Sequence, residues 1–304
     1  MMAPEYYVFT GRDGERIPDH ITHVLIDKAL KFVRARPFRR HQKIQEVICH
    51  EGVFKVEQEA FYDCPRLRRI IMPGVKNIEP RAFSACAALT YVECGKLERI
   101  GYSAFHGCKS LSSIDLPSIR IVEGWAFLYC KRLMSVTFGK DLQTIGEHVF
   151  HYCFYLERIA LPLKHLITSD NTTFQRCVKL NHVDLVGEVH ETVAALLMEE
   201  WKNYMNEEID SINRILPSTP AGDSDDILRN THSGNDYIVD GKAREIRTWI
   251  TSVLRKIIHY KAEHRRYLDV AAAALQPALQ SDILFKNECP SFPRITVIHI
   301  PRGE

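Results

Sequence analysis

The chain has 304 residues, 45% of them hydrophobic, which is an ordinary globular composition in a chain long enough to bury a core. Its 40 Lys and Arg residues against 38 Asp and Glu residues give a formal charge of +2, so the overall balance does not indicate a nucleic-acid or anionic-membrane partner. The first 20 residues lack a signal-peptide pattern and no stretch reaches about 18 uninterrupted apolar residues, which predicts a soluble, cytoplasmic protein.

The N-terminal segment 1–17 carries two strand-like runs, in YYVFTGRDGERI, on either side of a Gly-Arg-Asp-Gly turn. This pattern predicts a β-hairpin. A repeat region follows from residue 18, and its first turn is expected to place Ile21 and Val24 at strand positions. We expect the hairpin to cap the open end of that region, because an uncovered end would expose apolar surface and unpaired strand edges.

A repeat of 22 to 24 residues runs through segment 18–187, anchored on Phe38, Phe61, Phe83, Phe105, Phe127, Phe150 and Phe174. Three residues after these phenylalanines stand His41 in the first copy and then Cys64, Cys86, Cys108, Cys130, Cys153 and Cys177. Aliphatic residues occupy the sixth and ninth positions after each Phe. This spacing predicts a solenoid whose turns bury their apolar faces against one another. The LxxIxL part of each copy predicts a short strand that pairs in parallel with the next at roughly 4.8 Å.

The repeat unit, I(G)xxAFxxCxxLxxIxLP, resembles that of BspA-like leucine-rich repeat proteins over about residues 18–187. The resemblance implies a leucine-rich repeat solenoid with stacked parallel strands and short turns. With the helices described below, the predicted fold class is α+β: this solenoid followed by a long two-helix, αα-hairpin-like module. The resemblance also implies binding without catalysis and, since such folds serve many partners, it implies no particular ligand.

The nine cysteines are interpreted as mainly structural, with metal binding and regulated disulfides as open alternatives. No CxxC is present, and thiols 22 residues apart in a solenoid lie one layer apart in the core, where cysteine acts as a small hydrophobe. Cys289, outside the repeats, is the candidate reactive thiol. In EHVFHYC, Cys153 is predicted to face the core while His148 and His151 lie on the outer turn, so no metal site is expected. We predict no catalytic residues and no cofactor.

The eighth and tenth positions after each Phe should face outward over the concave side of the sheet, because side chains alternate along a strand. These columns mix both charge signs with a tyrosine and two isoleucines, which suits a protein or peptide partner better than a polyanion. The candidate binding residues are Arg69, Ile71, Tyr91, Glu93, Ser113, Asp115, Arg158, His182 and Asp184. Tyr91 with Glu93 and Asp115 is the preferred patch. The alternative is that these are ordinary solvated strand residues.

The repeat stops after Gly187, and two amphipathic helices are predicted. Segment 188–216 carries seven acids against Lys202 and Arg214, a charge near −5. The second helix, 242–276, is expected to end at Pro277, and its residues 242–268 carry eight bases against two acids, a charge near +6. Between the helices, 217–241 predicts a flexible acidic loop, and the tail 277–304 is poorly defined.

The opposite charges of the two helices predict that they pair antiparallel within one chain. Two alternatives stay open: the helices 188–216 and 242–276 pair between chains as a homodimer, or the basic helix contacts a nucleic acid or an anionic membrane. The sequence therefore predicts a non-enzymatic scaffold that binds a protein or peptide through the concave face of its sheet. A structural or adhesive surface protein is the alternative, which the missing signal peptide disfavours.

Overall fold

The computed structural model describes residues 6–164, 172–216 and 241–286, with the side chains of the last segment described as far as Ala274. Nearly all of the predicted loop 217–241, the tail beyond Lys286 and its Cys289 therefore lie outside the described residues. The chain divides into two compact units, residues 1–256 and 257–304. The repeats belong to the first unit.

Two columns of parallel strands run through the repeats. The first column, which we call the first sheet, contains β1 (Tyr6–Phe9), β2 (His23–Ile26), β4 (Glu46–Ile48), β6 (Arg69–Ile71), β8 (Tyr91–Glu93), β10 (Ser113–Leu116), β12 (Ser135–Phe138), β14 (Arg158–Pro162) and β15 (His182–Val186). Its strands pair as two groups, β1-β2-β4-β6-β8 and β10-β12-β14-β15. The second sheet contains β3 (Phe32–Val33), β5 (Lys55–Val56), β7 (Asn77–Ile78), β9 (Arg99–Ile100), β11 (Ile121–Val122) and β13 (Thr144–Ile145). Except between β8 and β10, each strand pairs with the equivalent strand of the next repeat, so that Arg69 of β6 lies opposite Tyr91 of β8.

The seven phenylalanines form a continuous stack in the core. All seven are buried, and successive ring centroids lie 4.8–5.6 Å apart with ring planes within 10° of parallel. The aliphatic residues six and nine positions after each Phe are buried as well, with the exception of Val92. The repeat spacing predicts this core, because equivalent side chains of stacked turns point in the same direction.

The predicted N-terminal hairpin is wrong. β1 pairs in parallel with β2, from Tyr6 opposite His23 to Phe9 opposite Ile26, and residues 15–17 form no strand. The Glu15 carboxylate instead closes the turn by accepting hydrogen bonds from the backbone N–H of Thr10, the Thr10 hydroxyl and the Tyr7 hydroxyl. An alternating run such as 6–9 fits a parallel or an antiparallel neighbour equally well, so β1 extends the first sheet by one strand and covers its end.

Among the residues that the structure describes, three helices follow the repeats: α1 (Val189–Ala194), α2 (Glu199–Ile215) and α3 (Lys242–Lys286). The predicted single helix 188–216 is therefore two helices. The first ends at Ala194, and in the turn that follows Leu196 is buried and Leu197 is exposed. The predicted end at Pro277 is also wrong. Proline removes one amide donor and kinks a helix without always ending it, and α3 continues to Lys286.

The helices of the first unit close the C-terminal end of the repeats. The side-chain oxygen of Asn213 in α2 accepts a hydrogen bond from the backbone N–H of Val183 in β15, at 2.9 Å. Lys242, 1% exposed, donates from Nζ to three carbonyl oxygens of the last repeat, those of Cys177, Val178 and Leu180, at 2.7–3.2 Å. A buried ammonium with all three protons donated is a satisfied charge. The last repeat therefore has a cap that the sequence pattern did not predict.

α2 and α3 contact each other within the chain, as their opposite charges lead one to expect. Trp249 donates from Nε1 to the backbone oxygen of Glu208 at 2.8 Å, and Lys256 lies 2.6 Å from the Glu208 carboxylate. That carboxylate is partly buried, which raises its pKa, but hydrogen bonds from Lys256 and Ser252 outweigh this and hold the pKa below its usual value. Within the described ranges, no helix combines the length and apolar character needed to cross a membrane.

Candidate binding surface

All nine candidate binding residues lie on one face of the first sheet. Each is exposed or half-buried, whereas their strand neighbours other than Val92 are buried in the core. The strand pairing sets Arg69 opposite Tyr91 and Arg158 opposite His182. The alternation of side chains along each strand predicts this placement.

A network of large side chains covers the first five strands of this face. We call Tyr6, His23, Glu46, Arg69 and Tyr91 the N-terminal ridge. The Tyr6 hydroxyl donates to the Glu46 carboxylate at 2.7 Å, and Arg69 Nε lies 3.4 Å from the same carboxylate. The Arg69 guanidinium stands 5.0 Å from the centre of the Tyr91 ring, a cation–π arrangement. The hydrogen bond to Glu46 raises the pKa of Tyr6.

Three members of this ridge are not among the nine candidate residues: Tyr6, which lies in the predicted hairpin, His23 and Glu46. The signal that could have found them is the column itself: Tyr6, His23 and Glu46 stand in register with Arg69 and Tyr91 once β1 is counted as a parallel strand.

Three candidate residues at the other end of the face form a second group, which we call the C-terminal ridge. Arg158 Nε and His182 Nε2 approach the Asp184 carboxylate at 3.6 and 2.9 Å. Asp184 therefore contacts both Arg158 on β14 and His182 on β15. Exposed ion pairs of this kind add little stability, but they restrict the orientations that the side chains adopt.

The strands between the ridges carry short side chains. Ser113 and Asp115 on β10 and Ser135 and Thr137 on β12 face outward there. We call this floor, bounded by the two ridges, the trough. A floor of two strands is roughly 10 Å wide. An extended peptide or a single helix fits this width.

The first sheet is interrupted at the N-terminal edge of the trough. β8 is not paired with β10, although the second sheet continues without a break through β7, β9 and β11 of the same repeats. Val92 is half-buried here, in contrast to its fully buried equivalents. Glu93 and Asp115 face outward at equivalent positions of the two strands, and like charges opposite each other destabilise strand pairing. The interruption leaves backbone hydrogen-bonding groups of β8 and β10 available to a ligand or to water.

The six cysteines that stand three residues after a repeat phenylalanine are structural. Each thiol donates to the carbonyl oxygen of the phenylalanine one repeat earlier, with sulfur–oxygen distances of 3.0–3.3 Å. Burial raises the pKa of Cys86, Cys108, Cys130 and Cys153, and it raises that of Cys49 and Cys94 to about 12. Such thiols stay protonated and are poor nucleophiles.

The histidines of EHVFHYC do lie together, with the His148 and His151 rings 5.1 Å apart. The Cys153 thiol is buried and donates a hydrogen bond to the backbone oxygen of Phe127, so it does not lie with the two histidine rings. Among the residues that the structure describes, no group of three or more His, Cys, Asp or Glu side chains is placed to hold a metal ion.

Comparison with known proteins gives one family match. The family described as BspA type Leucine rich repeat region matches this chain with six copies of its repeat, in residues 18–119 and 98–196. The search of curated proteins found no match.

Several solved structures are similar. A leucine-rich repeat protein of T. pallidum is 30% identical over 46% of this chain and 68% of its own, with a TM-score of 0.43. One from Bacteroides ovatus is 20% identical over 55% of each chain, with a TM-score of 0.36. One from Eubacterium ventriosum is 15% identical over 56% of this chain and 61% of its own, with a TM-score of 0.39.

Proposed function

The chain belongs to the BspA-type leucine-rich repeat family, and on that basis we propose that it is a non-enzymatic scaffold that binds a peptide segment of another protein in the trough. Proteins with this repeat generally serve in protein interaction or surface adhesion and are typically non-enzymatic. The proposal concerns one surface of the repeat region and one class of partner.

The shape of the outward face is the observation that carries the proposal. Two groups of large side chains, each fixed by hydrogen bonds or ion pairs, stand on either side of a floor of short ones. Side chains that are already fixed lose less entropy on binding. Tyr91, 46% exposed, supplies an aromatic surface of the kind that dominates peptide recognition.

The charges at the trough favour a basic residue in the peptide. Glu93 and Asp115 face the same opening, and on this face of β8 and β10 no lysine or arginine stands between them. A lysine or arginine of the peptide would relieve their mutual repulsion and place its backbone beside the unpaired groups of β8 and β10. An acidic residue further along the peptide would meet Arg158 of the C-terminal ridge.

Affinity capture from native extract with full-length protein tests this proposal. The test variant combines Tyr91→Ala, Glu93→Ala and Asp115→Ala. The control variant combines Tyr102→Ala, Glu51→Ala and Asp141→Ala, which removes the same three residue types at exposed positions away from the trough. We expect a partner that the native protein and the control retain and the test variant loses. A partner set that is the same for all three proteins would contradict binding in the trough.

A second candidate function is self-association through α3. From Ile257 onward the helix carries an apolar stripe at spacings of three and four residues: Ile257, Tyr260, His264, Tyr267, Leu268, Ala271 and Ala274. Every described side chain from Arg265 to Ala274 is exposed, and Leu268 is 50% exposed. A continuous apolar stripe in water favours association with another surface. The apolar face of α2 is buried within the chain through Met205, Ile209 and Ile212. The alternative of a homodimer through both helices therefore reduces to a homodimer through α3.

The charge distribution favours a second copy over an anionic partner. Residues 242–256 hold five of the bases against Glu245, and of these Lys242 is buried and Lys256 pairs with Glu208. Residues 257–274 hold three bases against two acids. Two copies of this nearly neutral segment repel each other weakly, and a nucleic acid or anionic membrane gains little from it.

A further inference from the structure

One buried carboxylate gathers three arginines on the turns around the repeat phenylalanines. The Glu59 side chain is 8% exposed, and Arg36 Nε and Arg39 Nε lie 3.0 and 3.2 Å from one of its oxygens. Arg81 Nη1 lies 3.9 Å from the other. We call Arg36, Arg39, Arg81 and Glu59 the arginine cluster.

The repeat brings these residues together. Arg36, Glu59 and Arg81 each stand two residues before a Phe in consecutive repeats, and all three adopt a left-handed backbone with φ between 56° and 68°. Arg39 lies 5.2 Å from the centre of the Tyr62 ring, which orients its guanidinium plane. A buried carboxylate on a left-handed backbone is unfavourable unless it is paired, and the three arginines offset the cost of burying Glu59.

The cluster carries excess positive charge. Three guanidinium groups against one carboxylate leave a charge of +2 on the cluster, and the neighbouring Arg40 lies 3.8 Å from Asp63, which balances it. The Glu57 and Glu79 carboxylates beside the cluster share Lys55, so the charge of the whole group is +1. The side chains of Arg36, Arg39 and Arg81 are 61%, 38% and 53% exposed, so a ligand in solution can reach them. The sequence signal is the run 28–43, which contains seven Lys and Arg residues and no Asp or Glu, and which the balanced total charge concealed.

We propose that the arginine cluster binds a phosphate dianion, with Glu59 acting as a positioning residue. Guanidinium groups bind phosphate oxygens with paired, planar hydrogen bonds, and three of them held at one point form such a site before the ligand arrives. The site lies on the turns and not on the outward face of the first sheet, so it is separate from the trough. A free phosphate and a phosphomonoester lipid headgroup present the same chemistry.

The test is an NMR titration of the full chain with inorganic phosphate at low ionic strength and pH 7.5, following arginine Nε–H signals. We expect saturable shifts at Arg36, Arg39 and Arg81, and binding about tenfold weaker or worse in Arg36→Gln combined with Arg81→Gln. Arg120→Gln combined with Arg132→Gln is the control, since both are exposed arginines of later repeats. Its binding should equal that of the native chain.

A second variant separates binding from a purely structural role. Arg36→Lys keeps the charge beside Glu59 but loses the planar pair of donors, so we expect weaker phosphate binding with an unchanged melting temperature. Vesicles of phosphatidylcholine with and without phosphatidic acid then distinguish a headgroup from free phosphate as the ligand. Shifts that do not saturate, or that are the same in the cluster and control variants, would overturn the proposal. The arginines would then serve only to neutralise Glu59.

Discussion

The repeats and the second half of α3 show the same kind of apolar periodicity with opposite outcomes. In the repeats each Phe meets another Phe one turn away, and the whole column is buried. In α3 the apolar stripe is buried at Ile250 and Val253, but its members Tyr267 and Leu268 are exposed. A periodic apolar pattern therefore predicts which face is available for packing. Burial also requires a packing neighbour, which each turn of the repeat finds in the turns on either side of it.

The largest expected effect of a single substitution lies in the phenylalanine stack. Phe105→Ala removes a fully buried ring between two others and should lower the free energy of unfolding by about 3–5 kcal/mol. Ile258→Ala in α3 should change it by less than about 0.5 kcal/mol, because that side chain is exposed and lies outside the apolar stripe. Denaturant unfolding of both variants measures the contrast. Equal losses would mean that the second half of α3 is also packed.

The next largest effect concerns the contact between the last repeat and the first turn of α3. Lys242→Met removes the charged donor from three carbonyl oxygens and should cost about 2–3 kcal/mol. Hydrogen exchange should then increase in β15 and in the first turns of α3. The control is Lys261→Met, an exposed lysine of the same helix, which should leave both regions as they are. Unchanged exchange in the Lys242 variant would refute its role in the cap.

High pH should weaken the repeats through their buried thiols. The pKa of Cys94 is about 12 in the folded protein and near 9 when unfolded, so above pH 9 the unfolded chain releases a proton that the folded chain keeps. Stability therefore falls as the pH rises, by about 1.4 kcal/mol per pH unit for each such thiol between pH 9 and 12. Thermal unfolding at about pH 8 to 11 measures the slope. Cys94→Val should make it shallower, and an unchanged slope would argue against the buried, protonated thiol.

The smallest effect on stability is expected in the exposed stripe of α3, where the readout is molecular mass. Leu268→Glu places a charge in the stripe, and Ile258→Glu places one on an exposed apolar residue outside it. In sedimentation of the full chain we expect a dimer for the native protein and the Ile258 variant and a monomer for the Leu268 variant. A native chain that stays monomeric across a wide range of concentration would exclude self-association.

The sequence predicts the repeat region well because its signals are local and repeated. The Phe and Cys columns predict the stack, the burial and the outward face, since every copy reports the same geometry. β1 is the exception, because the alternation of YYVF does not determine whether its neighbour is parallel or antiparallel.

Features that depend on a few unrepeated contacts escape sequence analysis. Val92 fits its column as well as its equivalents do, so nothing in the pattern signals the interruption between β8 and β10. Lys242 reads as one of eight bases on a helix, and only its three carbonyl partners identify it as a cap. Glu59 and its arginines are far apart in sequence and meet only through the repeat.

Hydrogen exchange of the full chain with and without a captured peptide tests the central claim most directly. We predict that the peptide slows exchange in residues 90–94 and 112–116, where β8 and β10 leave backbone groups unpaired, and leaves the second sheet unchanged. Protection confined to α3 or to the second sheet would contradict binding in the trough.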